Sequence, residues 1–107
     1  MNKIKYILIL LAMTASSAFA ESPKDIDARI EVCKHSFIRF VSLSGDESVN
    51  CELRNEYLSF TKYQVNHRLV LLNRTELLTI SKEVDKLSLT QLRKLAISCY
   101  EYSNTLN

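Results

Sequence analysis

Glycine and proline are almost absent from this chain of 107 residues, which contains only Gly45 and Pro23. Sheets of several strands need turns in which these two residues are common, whereas long helices need only that such residues stay at their ends. The scarcity of both residues therefore argues against a fold of many short strands and predicts a domain that is nearly all helix.

Motifs for catalysis and for phosphate binding are also absent. The sequence contains no glycine-rich phosphate loop, no HExxH zinc motif and no GxSxG nucleophile motif. Cys33 and His35 would point about 200° apart on a helix and so cannot form a catalytic pair. Glu31 and His35 are one turn apart, but such a pair is more often part of a solvated helix face. We therefore expect no enzymatic activity, no catalytic residue, no cofactor and no metal site.

The charge balance gives no sign of a nucleic-acid partner. The chain has 14 basic and 12 acidic residues, but two of the lysines, Lys3 and Lys5, lie at the extreme N terminus. The remainder is balanced, whereas a nucleic-acid-binding domain carries a basic surplus that neutralises phosphates. Nucleic acid is therefore not an expected partner.

Residues 1–20 have the pattern of a secretory signal peptide. Two lysines precede a run of about ten apolar residues, and Ala18-Phe19-Ala20 forms a small-x-small cleavage site before Glu21. The run is shorter than the roughly 20 residues that span a bilayer, which disfavours the alternative of an uncleaved N-terminal anchor. The sequence predicts export to the periplasm, no membrane anchor after processing, and a single small helical domain over 21–107.

Apolar residues that recur every three or four positions predict a small bundle of about four helices, at about 24–43, 47–73, 76–87 and 89–103. Ser22 and Pro23 suit the start of the first helix, and Thr75 suits the start of the third. Ser88 and Gln91 have the spacing of a capping box, which predicts the start of the fourth helix.

The second predicted helix has apolar residues on two opposite faces. At about 100° per residue, one face contains Val49, Leu53, Tyr57, Phe60, Gln64, His67 and Leu71. The other face contains Cys51, Leu58, Val65, Leu69 and Leu72. A helix with this pattern either lies at the centre of the bundle or uses its second face to contact another protein. We expect the central position, because a short bundle has few other ways to bury the second face, and we expect His67 to be hydrogen-bonded within the core.

Three cysteines follow the predicted cleavage site, and two of them are expected to pair in an oxidising compartment. Cys33 and Cys99 are central in the apolar stripes of the first and last helices, so their disulfide is the preferred pairing. Cys51–Cys99 is the next alternative. Cys33–Cys51 is the least favoured, because a tight hairpin about Gly45 leaves these residues about 9 Å out of register. Cys51 is therefore expected to be the odd thiol.

These features favour a small exported protein that acts by binding another exported protein, as an inhibitor, an immunity protein or an escort. The candidate partner surface contains Leu58 and Val65 of the second apolar face, together with Tyr63 and Tyr100, since tyrosine is enriched at interfaces. A periplasmic stress chaperone is the main alternative, and a metal carrier or an enzyme is a less favoured one. A homodimer is also left open.

Overall fold

Four helices make up the fold. The computed structural model describes residues 21–106, and its helices are α1 (Pro23–Ser44), α2 (Glu47–Asn66), α3 (Arg74–Asp85) and α4 (Leu89–Leu106). No strand occurs in this range, so the predicted all-helical class is confirmed. Every helix within it is too short or too polar to cross a lipid bilayer. The predicted signal peptide lies outside the described residues.

α1 is the centre of the bundle, and the other three helices pack around it. Its residues from Asp27 to Ile30 are all buried, and at about 100° per residue four consecutive positions cover the whole circumference of a helix. The expectation that the second helix is central is therefore wrong. It assumed that the second face of this helix had to be buried, whereas Leu58 and Val65 are exposed. α1 is central instead, because it buries Asp27 and Arg29 with polar partners as well as its apolar residues. α2 is left to pack with one face only.

Local sequence determines both ends of α1. The Ser22 hydroxyl accepts a hydrogen bond from the Asp25 N–H at 3.1 Å, and Pro23 occupies the first turn, where its missing N–H costs nothing. At the other end Gly45 adopts a φ of 67°, and its N–H donates to the Val41 carbonyl. Glycine reaches this left-handed conformation without strain, which explains why the chain turns there.

α2 ends at Asn66, well before the predicted end at residue 73. The Leu69 N–H donates to the Gln64 carbonyl at 2.9 Å, across the end of the helix. The Arg68 N–H donates to the Val65 carbonyl at 3.3 Å. This pair of bonds is a Schellman motif, with Arg68 in the left-handed conformation at a φ of 56°. Glycine usually occupies that position, so the sequence contains no conventional stop signal for this helix.

The early end of α2 leaves His67 outside the core. His67 caps the helix and is exposed, and its ring stacks on the Tyr63 ring at a centroid distance of 3.9 Å. Its Nδ1 lies 3.0 Å from the Tyr63 carbonyl oxygen. The expectation of a core histidine is wrong, because position 67 caps the end of α2 instead of lying within its buried length.

A buried carboxylate of α1 holds the segment between α2 and α3. Asp27 is 1% exposed, and its Oδ2 accepts hydrogen bonds from the N–H groups of Leu71 at 2.8 Å and Leu72 at 3.1 Å. Its Oδ1 accepts a hydrogen bond from Gln64 Nε2 at 2.6 Å. Leu69 and Leu72 enter the core from this segment. Asp27 therefore satisfies polar backbone groups that are carried inward with these leucines.

Side-chain caps begin the last two helices. The Asn73 side chain accepts a hydrogen bond from the Glu76 N–H at 2.9 Å, and the Glu76 carboxylate accepts one from the Asn73 N–H at 3.0 Å. This reciprocal capping box replaces the predicted cap at Thr75, because only Asn73 has a glutamate at the required spacing. The predicted capping box of α4 is confirmed: Ser88 and Gln91 exchange hydrogen bonds of 2.8 and 3.2 Å.

A disulfide joins α1 to α4. The Sγ atoms of Cys33 and Cys99 are 2.12 Å apart, and both residues are fully buried. This is the pairing preferred from the sequence, and it follows from the central position of both cysteines in their apolar stripes. Cys51 is exposed and remains a free thiol.

Candidate partner-binding surface

The exposed side of α2 carries a regular apolar row. Cys51, Leu58 and Val65 recur at intervals of seven residues, which places them in line along one side of a helix. Leu58 is 54% exposed and Val65 is 66% exposed. Arg54 and Lys62 lie one turn before and one turn after Leu58, and both are exposed. We call these five residues the α2 outer face.

The packing of α2 explains why this face is open. The inner side of the helix enters the core through Leu53, Phe60 and Gln64, and it contacts α1 and α4. Leu58 lies about 140° from Leu53 around the helix, so the same packing turns it away from the core. Of the second apolar face drawn from the sequence, Cys51, Leu58 and Val65 are exposed, whereas Leu69 and Leu72 lie beyond the end of α2 and are buried.

An apolar groove runs beside the α2 outer face, between α1 and α2. Its volume is about 270 Å³, which is sufficient for one large side chain. It is lined by Phe37, Ile38, Val41, Asn50, Leu53, Arg54 and Tyr57. Ile38 is 55% exposed at its edge. Arg54 belongs to both features, so the groove and the α2 outer face form one continuous surface.

The charges on this surface are positive and uncompensated. Neither Arg54 nor Lys62 has an ion pair or a side-chain hydrogen bond with any residue between 21 and 106. Glu52 and Glu56 lie about 120° and 160° from Leu58 around the helix, on the flank near Tyr100. Burial, followed by the charges of these two glutamates, raises the pKa of the Tyr100 hydroxyl.

Tyr63 and Tyr100 do not join Leu58 and Val65 in one surface. Tyr63 lies about 140° from Leu58 around α2 and stacks on His67. Tyr100 of α4 is half-buried, with its ring 6.4 Å from the ring of Phe37. Of the four residues predicted as a partner surface, Leu58 and Val65 therefore lie on the outer side of α2, and Tyr63 and Tyr100 lie elsewhere. The predicted partner surface did not include Arg54, Lys62 or Ile38. The first two could have been identified from the sequence, because they lie four residues before and four residues after Leu58.

Glu31 belongs to a polar cluster between α1 and α2. Its carboxylate accepts from Gln64 Nε2 at 2.6 Å and lies 3.4 Å from Lys34 Nζ. Lys34 Nζ also donates to Gln64 Oε1 at 2.9 Å. His35 Nε2 is 3.8 Å from the other Glu31 oxygen. No group of three or more histidine, cysteine, aspartate or glutamate side chains between Glu21 and Leu106 is placed to hold a metal ion.

A second polar cluster attaches the start of the described chain to the fold. Arg29 is 5% exposed, and its Nε lies 2.7 Å from the Glu21 carboxylate. The guanidinium carbon is 5.2 Å from the centroid of the Tyr102 ring, a cation–π arrangement. Burial raises the pKa of the Tyr102 hydroxyl above its ordinary range. Burial also raises the pKa of Glu21, and the charge of Arg29 opposes this change. The cluster stabilises the α1–α4 contact.

Comparison with protein-family models, with curated protein sequences and with solved structures found no match to this chain. The α2 outer face and the adjoining groove together form the candidate surface. That surface combines exposed apolar side chains with two cations that have no partner in the described part of the chain.

Proposed function

We propose that this protein is exported to the periplasm and acts there by binding another exported protein, as an inhibitor, an immunity protein or an escort. The observation that carries the proposal is the exposure of Leu58 and Val65, at 54% and 66%, in line on a helix whose opposite side is well packed. Exposed apolar patches beside polar rims are typical of protein–protein contacts. The contact surface is the α2 outer face with the adjoining groove.

The energetics of the surface fit recognition of a protein. Completing the burial of Leu58 and Val65 would contribute about 2–3 kcal/mol. A side chain that fills the groove would add a comparable amount, since a fully buried apolar side chain contributes about 1.5–3 kcal/mol. Central apolar anchors of this kind, surrounded by charged groups, dominate the free energy of many interfaces.

Two features support the proposed periplasmic location, one in the sequence and one in the structure. Residues 1–20 have the order of charge, apolar run and small-residue site that export requires. The buried disulfide between Cys33 and Cys99 is of a type that persists in oxidising compartments and is rare in the cytosol. A small domain with one modest core benefits most from such a bond.

Leu58→Asp tests the proposed surface, with Leu78→Asp of α3 as its matched control. Leu58 and Leu78 are 54% and 52% exposed, so both variants should keep the helical circular dichroism signal and a melting temperature near that of the wild type. Wild type and variants are used to capture partners from the periplasm of the native host, and bound proteins are identified by mass spectrometry. One stoichiometric partner should bind wild type and Leu78→Asp and be lost with Leu58→Asp.

Two results would contradict the proposal. Equal capture by both variants would remove the α2 outer face from the partner contact. Unfolding of Leu58→Asp, with Leu78→Asp intact, would mean that Leu58 is buried and that the exposed face does not exist, since a buried unpaired carboxylate costs more than a small domain tolerates.

A further inference from the structure

The basic residues that flank Leu58 indicate the charge of the surface that could bind there. Arg54 and Lys62 are at i−4 and i+4 from Leu58, so the three side chains form a basic–apolar–basic row. Both cations are exposed. Glu47 is the acidic residue of α2 closest in angle to this row, but it lies about two turns from Arg54, the nearer cation, and makes no ion pair with it. Acidic groups of α2 therefore do not neutralise the row.

A second copy of this chain does not fit the row. If two α2 helices paired antiparallel about Leu58, Arg54 of one copy would face Lys62 of the other. If they paired parallel in register, Arg54 would face Arg54 and Lys62 would face Lys62. Both arrangements bring like charges together at the centre of the contact, which disfavours self-association.

The spacing of the apolar residues on the α2 outer face indicates a helical partner. The seven-residue interval between Cys51, Leu58 and Val65 is the interval at which two packed helices meet along a common seam. Ile38 and Tyr57 border the groove next to this seam, where an apolar side chain projecting from a partner helix can enter.

Building on the proposed function, we propose that the partner presents an acidic amphipathic helix. An aliphatic or aromatic side chain of that helix occupies the groove between Ile38 and Tyr57. Carboxylates of the same partner helix pair with Arg54 and Lys62, and its axis follows the α2 outer face from Cys51 to Val65. Opposite charges across the contact also increase the rate of encounter and make binding sensitive to salt.

Peptide display tests the chemistry of the partner without knowledge of its identity. A library of random peptides of about 16 residues, long enough for four helical turns, is selected on immobilised residues 21–107 with the disulfide intact. The same library is counter-selected on Leu58→Asp. We expect enriched peptides to have apolar residues at helical spacing and a net negative charge, and to bind more weakly as NaCl is raised from about 50 to about 500 mM.

Reversing the charges of Arg54 and Lys62 then tests whether the partner helix is acidic, separately from whether the α2 outer face binds a partner. The double variant R54E/K62E should weaken the selected peptides about tenfold, since two exposed attractive pairs become repulsive. The control K82E/K94E, which changes the same net charge on α3 and α4, should bind them like the wild type. Selected peptides that require Leu58 but are neutral or basic, or that bind R54E/K62E as tightly as the wild type, would contradict an acidic partner helix. Either result would still support the α2 outer face as the contact surface.

The remaining outcomes are also decisive. If no peptide distinguishes the wild type from Leu58→Asp, the surface itself is wrong, and the proposed function loses its site. Analytical ultracentrifugation provides the last check. A wild-type dimer that Leu58→Asp converts to a monomer would show that a second copy covers the row, and this would overturn the inference.

Discussion

Removing the buried carboxylate of Asp27 should destabilise the fold more than any exposed substitution. In Asp27→Ala the N–H groups of Leu71 and Leu72 lose the oxygen that they share at 2.8 and 3.1 Å. Gln64 keeps a second acceptor in Glu31 at 2.6 Å, so its amide is not left without a partner. The loss therefore falls mainly on the backbone between α2 and α3.

The size of the effect follows from the two backbone donors. The Leu72 N–H is buried and would remain unsatisfied, which costs about 1–3 kcal/mol. The Leu71 N–H is partly buried, can exchange the carboxylate for water, and loses a charge-assisted bond of about 1.5 kcal/mol. Together these give a decrease of about 3 kcal/mol in the free energy of unfolding, or about 15 °C in melting temperature for a domain of this size.

Denaturant titration of Asp27→Ala against Asp85→Ala measures this loss. Asp85 has a side chain that is 60% exposed and a single ion-pair contact of 3.9 Å to Arg39, so its removal should change stability by less than about 0.5 kcal/mol. Hydrogen exchange should also accelerate at the Leu71 and Leu72 amides in Asp27→Ala. A loss below about 1 kcal/mol, or unchanged exchange at these amides, would refute the role assigned to Asp27.

Replacing Cys33 and Cys99 together by serine should lower the free energy of unfolding by about 4 kcal/mol in the chain-entropy model; Cys51→Ser is the control, and equal denaturation midpoints for the two variants would contradict the assignment. Because burial raises the pKa of Tyr102 above its unfolded value near 10, the folded state keeps a proton that the unfolded state loses, so stability should fall as the pH rises above about 10. Tyr102→Phe should reduce that slope in denaturation measured across alkaline pH, and an unchanged slope would count against the buried hydroxyl. Intact-mass measurement of the periplasmic protein should give a chain that begins at Glu21; a mass that includes residues 1–20 would show that the predicted cleavage does not occur.

Local signals made much of the fold predictable from the sequence. Ser22 with Pro23 marked the start of α1, and Gly45 marked its end, because capping and left-handed backbone depend on residues close together in the chain. The Cys33–Cys99 pairing was also readable, since both cysteines lie at the middle of apolar stripes that must face a common core.

Non-local contacts account for what the sequence did not show. Arg68 adopts the conformation that glycine normally provides, so the end of α2 carried no glycine signal, and His67 was wrongly assigned to the core. Asp27 reaches backbone groups more than forty positions away, a contact that periodicity cannot encode. The centre of the bundle was wrongly assigned to α2, because its second apolar face was expected to be buried and periodicity does not identify the buried Asp27 and Arg29 of α1.

The one-sided packing of α2 separates the residues that maintain the fold from those proposed to recognise a partner. Leu53 and Phe60 are almost fully buried, and their replacement by alanine would cost several kcal/mol, roughly 2–5 each. Arg54, Leu58 and Lys62 are exposed on the same helix, where most substitutions change stability by only about 0.5 kcal/mol. Mutations can therefore accumulate on the outer side of α2 and change the proposed contact with little effect on stability, while selection for a stable domain acts on the inner side.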